Sequence, residues 1–125
     1  MSAAPILKKL FYKGQAPALV LHAPAEGQAL LAALGPGALT SPKGRAAFVL
    51  AYCVDRVAAA KLGKAAPKFL ADGAVFWVAY PKGASKRYQS DIHRDTLNAL
   101  MEGFGFDGVS LVALDADWSA MRYKW

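Results

Sequence analysis

The sequence predicts an α/β domain: one mostly parallel sheet, covered by helices on both faces, that closes in an antiparallel hairpin. Three observations lead there. Short strand-like runs that are apolar on both faces, Ala18 to Leu21 and Ala46 to Val54, belong in the middle of a covered sheet. Helix-like stretches alternate with them, the signature of βαβ units. The last part of the chain, Val109 to Leu114, Asp115-Ala116-Asp117 and Trp118 to Tyr123, reads as two strands joined by a turn.

In chain order, Pro5 to Tyr12 predicts a short amphipathic helix, and Lys13-Gly14-Gln15 turns the chain into the strand Ala18 to Leu21. After His22-Ala23-Pro24 a helix is expected over Glu26 to Leu34, stopped by Gly35-Pro36-Gly37. Ala38 to Thr40 is read as a brief second strand and Ser41-Pro42-Lys43-Gly44 as a turn. The strand Ala46 to Val54 ends at Asp55, followed by a helix from Arg56 to Leu62 that Gly63 interrupts. Pro67 suits the first turn of another short helix, because its missing N–H costs nothing there, and Asp72-Gly73 is read as that helix's end. Ala74 to Tyr80, AVFWVAY, is β-branched and aromatic throughout and is the strongest strand. Pro81 to Gln89 forms a basic loop. Ser90 or Asp91 is expected to cap a helix running to Glu102, with Ile92, Leu97, Leu100, Met101 and Phe104 on one face. The sheet should hold about five or six strands, in one domain spanning residues 1 to 125.

Composition fits that architecture. The chain is 55% hydrophobic and only 19% charged, enough apolar material for one core and too much for a disordered chain. No apolar run reaches the length needed to cross a bilayer, and Lys8 and Lys9 follow the first apolar stretch, the reverse of a signal peptide's order. The expectation is a cytoplasmic protein with no membrane partner. The single cysteine, Cys53, lies in an apolar run and reads as a buried, inert thiol; one cysteine and two distant histidines show no metal-ligand spacing. A net charge of +6 favours acidic partners: an anionic ligand, nucleic acid or an acidic protein face.

The order of elements is similar to the C-terminal half of class I methyltransferases, a Rossmann-like fold whose last strands pair antiparallel. KAAPKFLADGAVFWVAYPK resembles that fold's helix, turn and strand, and GFGFDGVSLVALDADWSAMRYKW its last helix end and hairpin. More narrowly, the chain resembles a family of small bacterial proteins that look like truncated methyltransferases with a degenerate cofactor loop. The shared wording is Ala23-Pro24, Tyr80-Pro81-Lys82, Asp91-Ile92-His93-Arg94-Asp95 and Trp118-Ser119-Ala120-Met121-Arg122-Tyr123. The resemblance implies a three-layer fold and assigns no activity. It also exposes a departure. Methyltransferases follow strand one with an acidic, glycine-rich loop and end strand two with a carboxylate for the ribose hydroxyls, as dinucleotide folds do. Here the loop is His22-Ala23-Pro24-Ala25-Glu26-Gly27 and the second strand ends in Thr40-Ser41.

The basic loop is the main candidate site. Lys82, Ser85, Lys86 and Arg87 leave the carboxyl end of the strongest strand, where open α/β sheets bind ligands, and Arg94 lies at the start of the following helix. One reading is an anion site; the other is a solvated basic loop. His93 and Asp95 read as a surface histidine beside a capping acid, and Asp115 and Asp117 as turn chemistry rather than catalytic carboxylates. His22 and Asp55 fall at strand ends near one crevice. Trp118 to Trp125 is read as an edge strand guarded by its charges, with single-stranded nucleic acid binding as the alternative. These readings give a non-catalytic methyltransferase-like module with no cofactor, a homodimer being open. The alternatives are a degenerate S-adenosylmethionine-dependent methyltransferase and a structural or oligomeric accessory domain.

Overall fold

The computed structural model describes residues 4–35, 37–83 and 85–125; Pro36 of the expected helix stop and Ala84 of the basic loop lie outside them. In order the elements are α1 (Ala4–Lys9), β1 (Ala18–Leu21), a 3-10 turn (Ala25–Gly27), α2 (Gln28–Leu34), β2 (Ala46–Tyr52) and α3 (Arg56–Ala65). A second 3-10 turn (Ala66–Lys68), β3 (Leu70–Pro81), α4 (Arg94–Glu102), β4 (Asp107–Ala113) and β5 (Trp118–Lys124) follow. The sheet order is β1-β2-β3-β5-β4. The first three strands are parallel, and β5 runs antiparallel to both β3 and β4.

Alternation along each strand builds two cores. Phe48, Leu50, Trp77, Ala79, Trp118 and Ala120 face α1 and α2, where Leu7, Leu10 and Leu30 meet them. Val49, Ala51, Phe76, Val78, Met121 and Tyr123 face the other way and pack against Ala59, Leu62, Leu97 and Met101 of α3 and α4. This is the period-two geometry of a strand, and it explains why β2 and the Ala74–Pro81 part of β3 read as unbroken apolar runs. Trp77 donates its indole N–H to the Leu10 carbonyl at 2.8 Å, which ties the end of the first helical segment to the sheet.

Several expectations change at the element ends. The second strand shrinks to a single parallel bridge, Leu39 to Leu19. Gly63 does not interrupt α3: a Cβ there would approach the Phe104 ring to 2.5 Å, so the glycine allows close packing rather than breaking the helix. Asp72 and Gly73 lie inside β3, at an irregularity in its pairing with β2 where Gly73 has φ +70°. The last segment is not an edge. β5 lies between β3 and β4, and β4 is the edge instead, bulged between Gly108 and Ser110. Arg122 is no outward guard either, since its guanidinium lies 5.0 Å from the centre of the Phe11 ring.

Asp91 does not cap the following helix. Its Oδ1 accepts from the Arg56 N–H at 2.9 Å, and the Ser90 hydroxyl donates to the Val54 carbonyl at 2.6 Å, so both clasp the start of α3. His93 is the N-cap of α4, with its N–H donating to the Thr96 hydroxyl at 3.1 Å.

Candidate functional site

The parallel strands bring His22–Gly27, Cys53–Asp55 and Lys82–Arg94 to one rim, and the β4–β5 turn, Leu114–Asp117, joins them because β5 starts beside the end of β3. That rim is where open α/β sheets take ligands. Here it has two halves on opposite faces of the sheet.

On the α2 face a clamp closes the rim. Glu26 Oε1 accepts from the Tyr88 hydroxyl, and from the Trp118 indole N–H at 2.8 Å. Its Oε2 lies 3.6 Å from the Arg87 guanidinium, whose Nε is 3.7 Å from Asp117 Oδ2. Ser85 donates to Asp117 Oδ1 at 2.8 Å and accepts from the backbone N–H of Arg87 and Tyr88. The rings of Tyr52 and Tyr88 both meet Trp118 edge-on, with centroids 5.0 Å away. Hydrogen bonds from Tyr88 first and Trp118 second hold the Glu26 carboxyl below its ordinary range, with a smaller contribution from Arg87. The same bond raises Tyr88.

Thus the structure brings Ser85 and Arg87 together, but against carboxylates of the protein itself. Among the described residues, Lys82 and Lys86 have no carboxylate within ion-pair distance, and Arg94 meets only the exposed Asp95, at 3.5 Å. Asp117 was legible as a turn residue, and its neighbour Asp115 does accept from the N–H of Asp117 and Trp118. The reach of Asp117 to Ser85 and Arg87, and the central place of Glu26, are features of the folded rim that the turn pattern does not convey. The available signal was a lone carboxylate in an apolar loop, with Tyr88 of the basic loop and Trp118 at the start of the last strand in need of an acceptor.

On the α3 face the rim is open. A cleft of about 700 Å3 runs between α3 and Thr40–Pro42 and is lined mainly by apolar groups, with His22, Asp55 and Lys61 among its polar residues. His22 and Asp55 therefore do share a crevice. The cleft has a geometric cause. Two helices side by side cover about 20 Å, whereas five strands at about 4.8 Å spacing plus the Leu39 bridge are wider. Because α3 and α4 pack together over the middle of this face, the β1 margin is left uncovered.

The sequence matches no protein-family model and no curated relative. Solved structures do match. The Methanococcus jannaschii fibrillarin pre-rRNA processing protein aligns over 85% of this chain and 54% of its own, at 17% identity and a TM-score of 0.52. LepI in complex with SAM aligns over 97% of this chain and 39% of its own, at 14% identity and a TM-score of 0.54. The fold is that of the Rossmann-like methyltransferases. The chain spans about half the length of the first of these structures and less of the second.

Measured against S-adenosylmethionine, the residues present fit poorly. A glycine in the first loop of such a fold lets backbone approach the ligand closely. Here the space over Gly27 is taken by Tyr52, whose hydroxyl lies 2.9 Å from where a Cβ would be. Thr40 and Ser41 offer no carboxylate for ribose hydroxyls, and Asp55 Oδ1 is engaged by the Ala58 N–H at 2.9 Å as the cap of α3.

Proposed function

We propose that this methyltransferase-like domain is a non-catalytic, cytoplasmic binding module that engages an anionic ligand or partner through the loop at the carboxyl end of β3. The observation that carries the reading is the clamp. By fixing Ser85, Arg87 and Tyr88, Glu26 and Asp117 hold Ser85 to Tyr88 in one shape, and the exposed Lys86 and Arg94 and the half-buried Lys82 remain to meet an anion. Ser85 and Arg87 then act chiefly as positioning residues. A loop ordered before binding loses less conformational entropy when it binds.

Anisotropy of a labelled single-stranded oligonucleotide, with inorganic polyphosphate as competitor, tests this at low salt. Affinity should fall with salt at a log–log slope of about −0.7 per phosphate contacted, and Lys82→Gln with Lys86→Gln should flatten that slope by about 1.4. Binding that is absent at low salt, or that both substitutions leave unchanged, removes the loop from the account.

A degenerate S-adenosylmethionine enzyme is the second reading, favoured only by the open cleft. Its demethylated product should then stabilise the fold by about 2.7 kcal/mol at a hundred times its dissociation constant. On the reading preferred here, its melting temperature does not move.

A further inference from the structure

The cleft on the α3 face has a chemistry of its own, independent of the basic loop. One wall is a helical stripe: Val57, Ala58, Lys61, Leu62 and Ala65 recur at the spacing of one face of α3. Val57 is 63% exposed and Val54 46%, an unusual display of β-branched apolar groups beside an apolar hollow. Leu21, Ala51 and Phe69 floor it together with Cys53, whose thiol burial pushes up to about 12 and so keeps neutral. His22 stands at its edge with a left-handed φ of +57°. Among the lining residues Lys61 carries the ammonium and Asp55 the carboxylate, and Asp55 already caps α3. A volume near 700 Å3 lies within the range that small-molecule sites occupy.

We propose that this cleft binds an amphiphilic anion, an aliphatic chain lying between α3 and Thr40–Pro42 with its carboxylate at Lys61. Apolar walls select the chain, and Lys61, in a protein of net charge +6, selects the sign of the head group. The proposal lies across the sheet from the clamp, and Lys82→Gln and Lys86→Gln leave it untouched.

Isothermal titration with decanoate, 1-decanol and decylamine tests it, since the three share a tail and differ in head-group charge. Decanoate should bind saturably at one site, about tenfold more tightly than decanol and more tightly still than decylamine. Removing each methylene should weaken binding roughly fourfold. Lys61→Gln should bring decanoate to the level of decanol and leave decanol alone, while Lys64→Gln changes neither. Ala58→Phe should abolish both by filling the cleft. The exposed Val57→Ser, which leaves the core intact, should weaken both even where Ala58→Phe fails to fold. Absence of saturable binding, equal affinity for all three ligands, or binding indifferent to Lys61→Gln and Val57→Ser overturns the proposal. So does S-adenosylhomocysteine binding where decanoate does not.

Discussion

Glu26 ties three separate parts of the rim together, through Tyr88, Trp118 and Arg87. The Trp118 ring is fully buried, so removing its acceptor leaves an indole N–H without a partner. Glu26→Ala should cost about 2 kcal/mol in urea unfolding and Glu26→Gln less, because the amide still accepts. The carboxyl is held below its ordinary value in the folded state, so folding leaves it with fewer bound protons. Its contribution is therefore full above the unfolded value near pH 4.3 and is lost as pH falls through the lower folded value. The stability gap between wild type and Glu26→Gln should accordingly be constant at neutral pH and close below about pH 4. Gly27 gives a second test. Its φ of −89° is open to any residue, so what a side chain meets there is Tyr52 rather than backbone strain. Gly27→Ala should destabilise by about 1–3 kcal/mol through overpacking, and Tyr52→Phe in the same chain should recover part of that. A cost that Tyr52→Phe does not change would mean that the contact is not what limits this position.

At the scale of elements, α3 is held at its N-terminus from two directions. Asp55 caps it from within, accepting from Ala58, and Asp91 caps it from the loop before α4, accepting from Arg56. Asp55→Ala should cost about 1 kcal/mol, and Asp91→Ala a similar amount while also loosening the loop that carries the basic residues. Hydrogen exchange at Lys86 to Ile92 distinguishes the two: it should quicken in Asp91→Ala and stay slow in Asp55→Ala. The sequence announced β1, β2 and the Ala74–Pro81 part of β3 well, because these are apolar on both faces and covered strands need that. Its glycine and capping signals were ambiguous for a physical reason. Gly63 answers to the Phe104 ring, Gly73 to a kink within β3, and Asp91 to the start of α3, and each of these partners is set by tertiary packing.

For the whole molecule, alternating apolar runs and helical stretches were enough to give the sheet, its two covered faces and its antiparallel end. The site was less legible. Glu26 stands 62 residues from Tyr88 and 92 from Trp118, and a lone carboxylate in a loop does not say which distant donors it will meet. The basic loop could be read as cationic, but not that Arg87 pairs with Glu26 and Asp117. The frame thus keeps a methyltransferase topology while its own side chains fill one half of the rim. An amide-resolved NMR titration with a short single-stranded oligonucleotide, repeated with S-adenosylhomocysteine, tests that account most directly. The prediction is saturable shifts confined to Lys82 to Arg94 with the oligonucleotide and none with the nucleoside. Shifts at His22 to Gly27 and Thr40 to Pro42 on adding the nucleoside, with the basic loop silent toward the oligonucleotide, would contradict it.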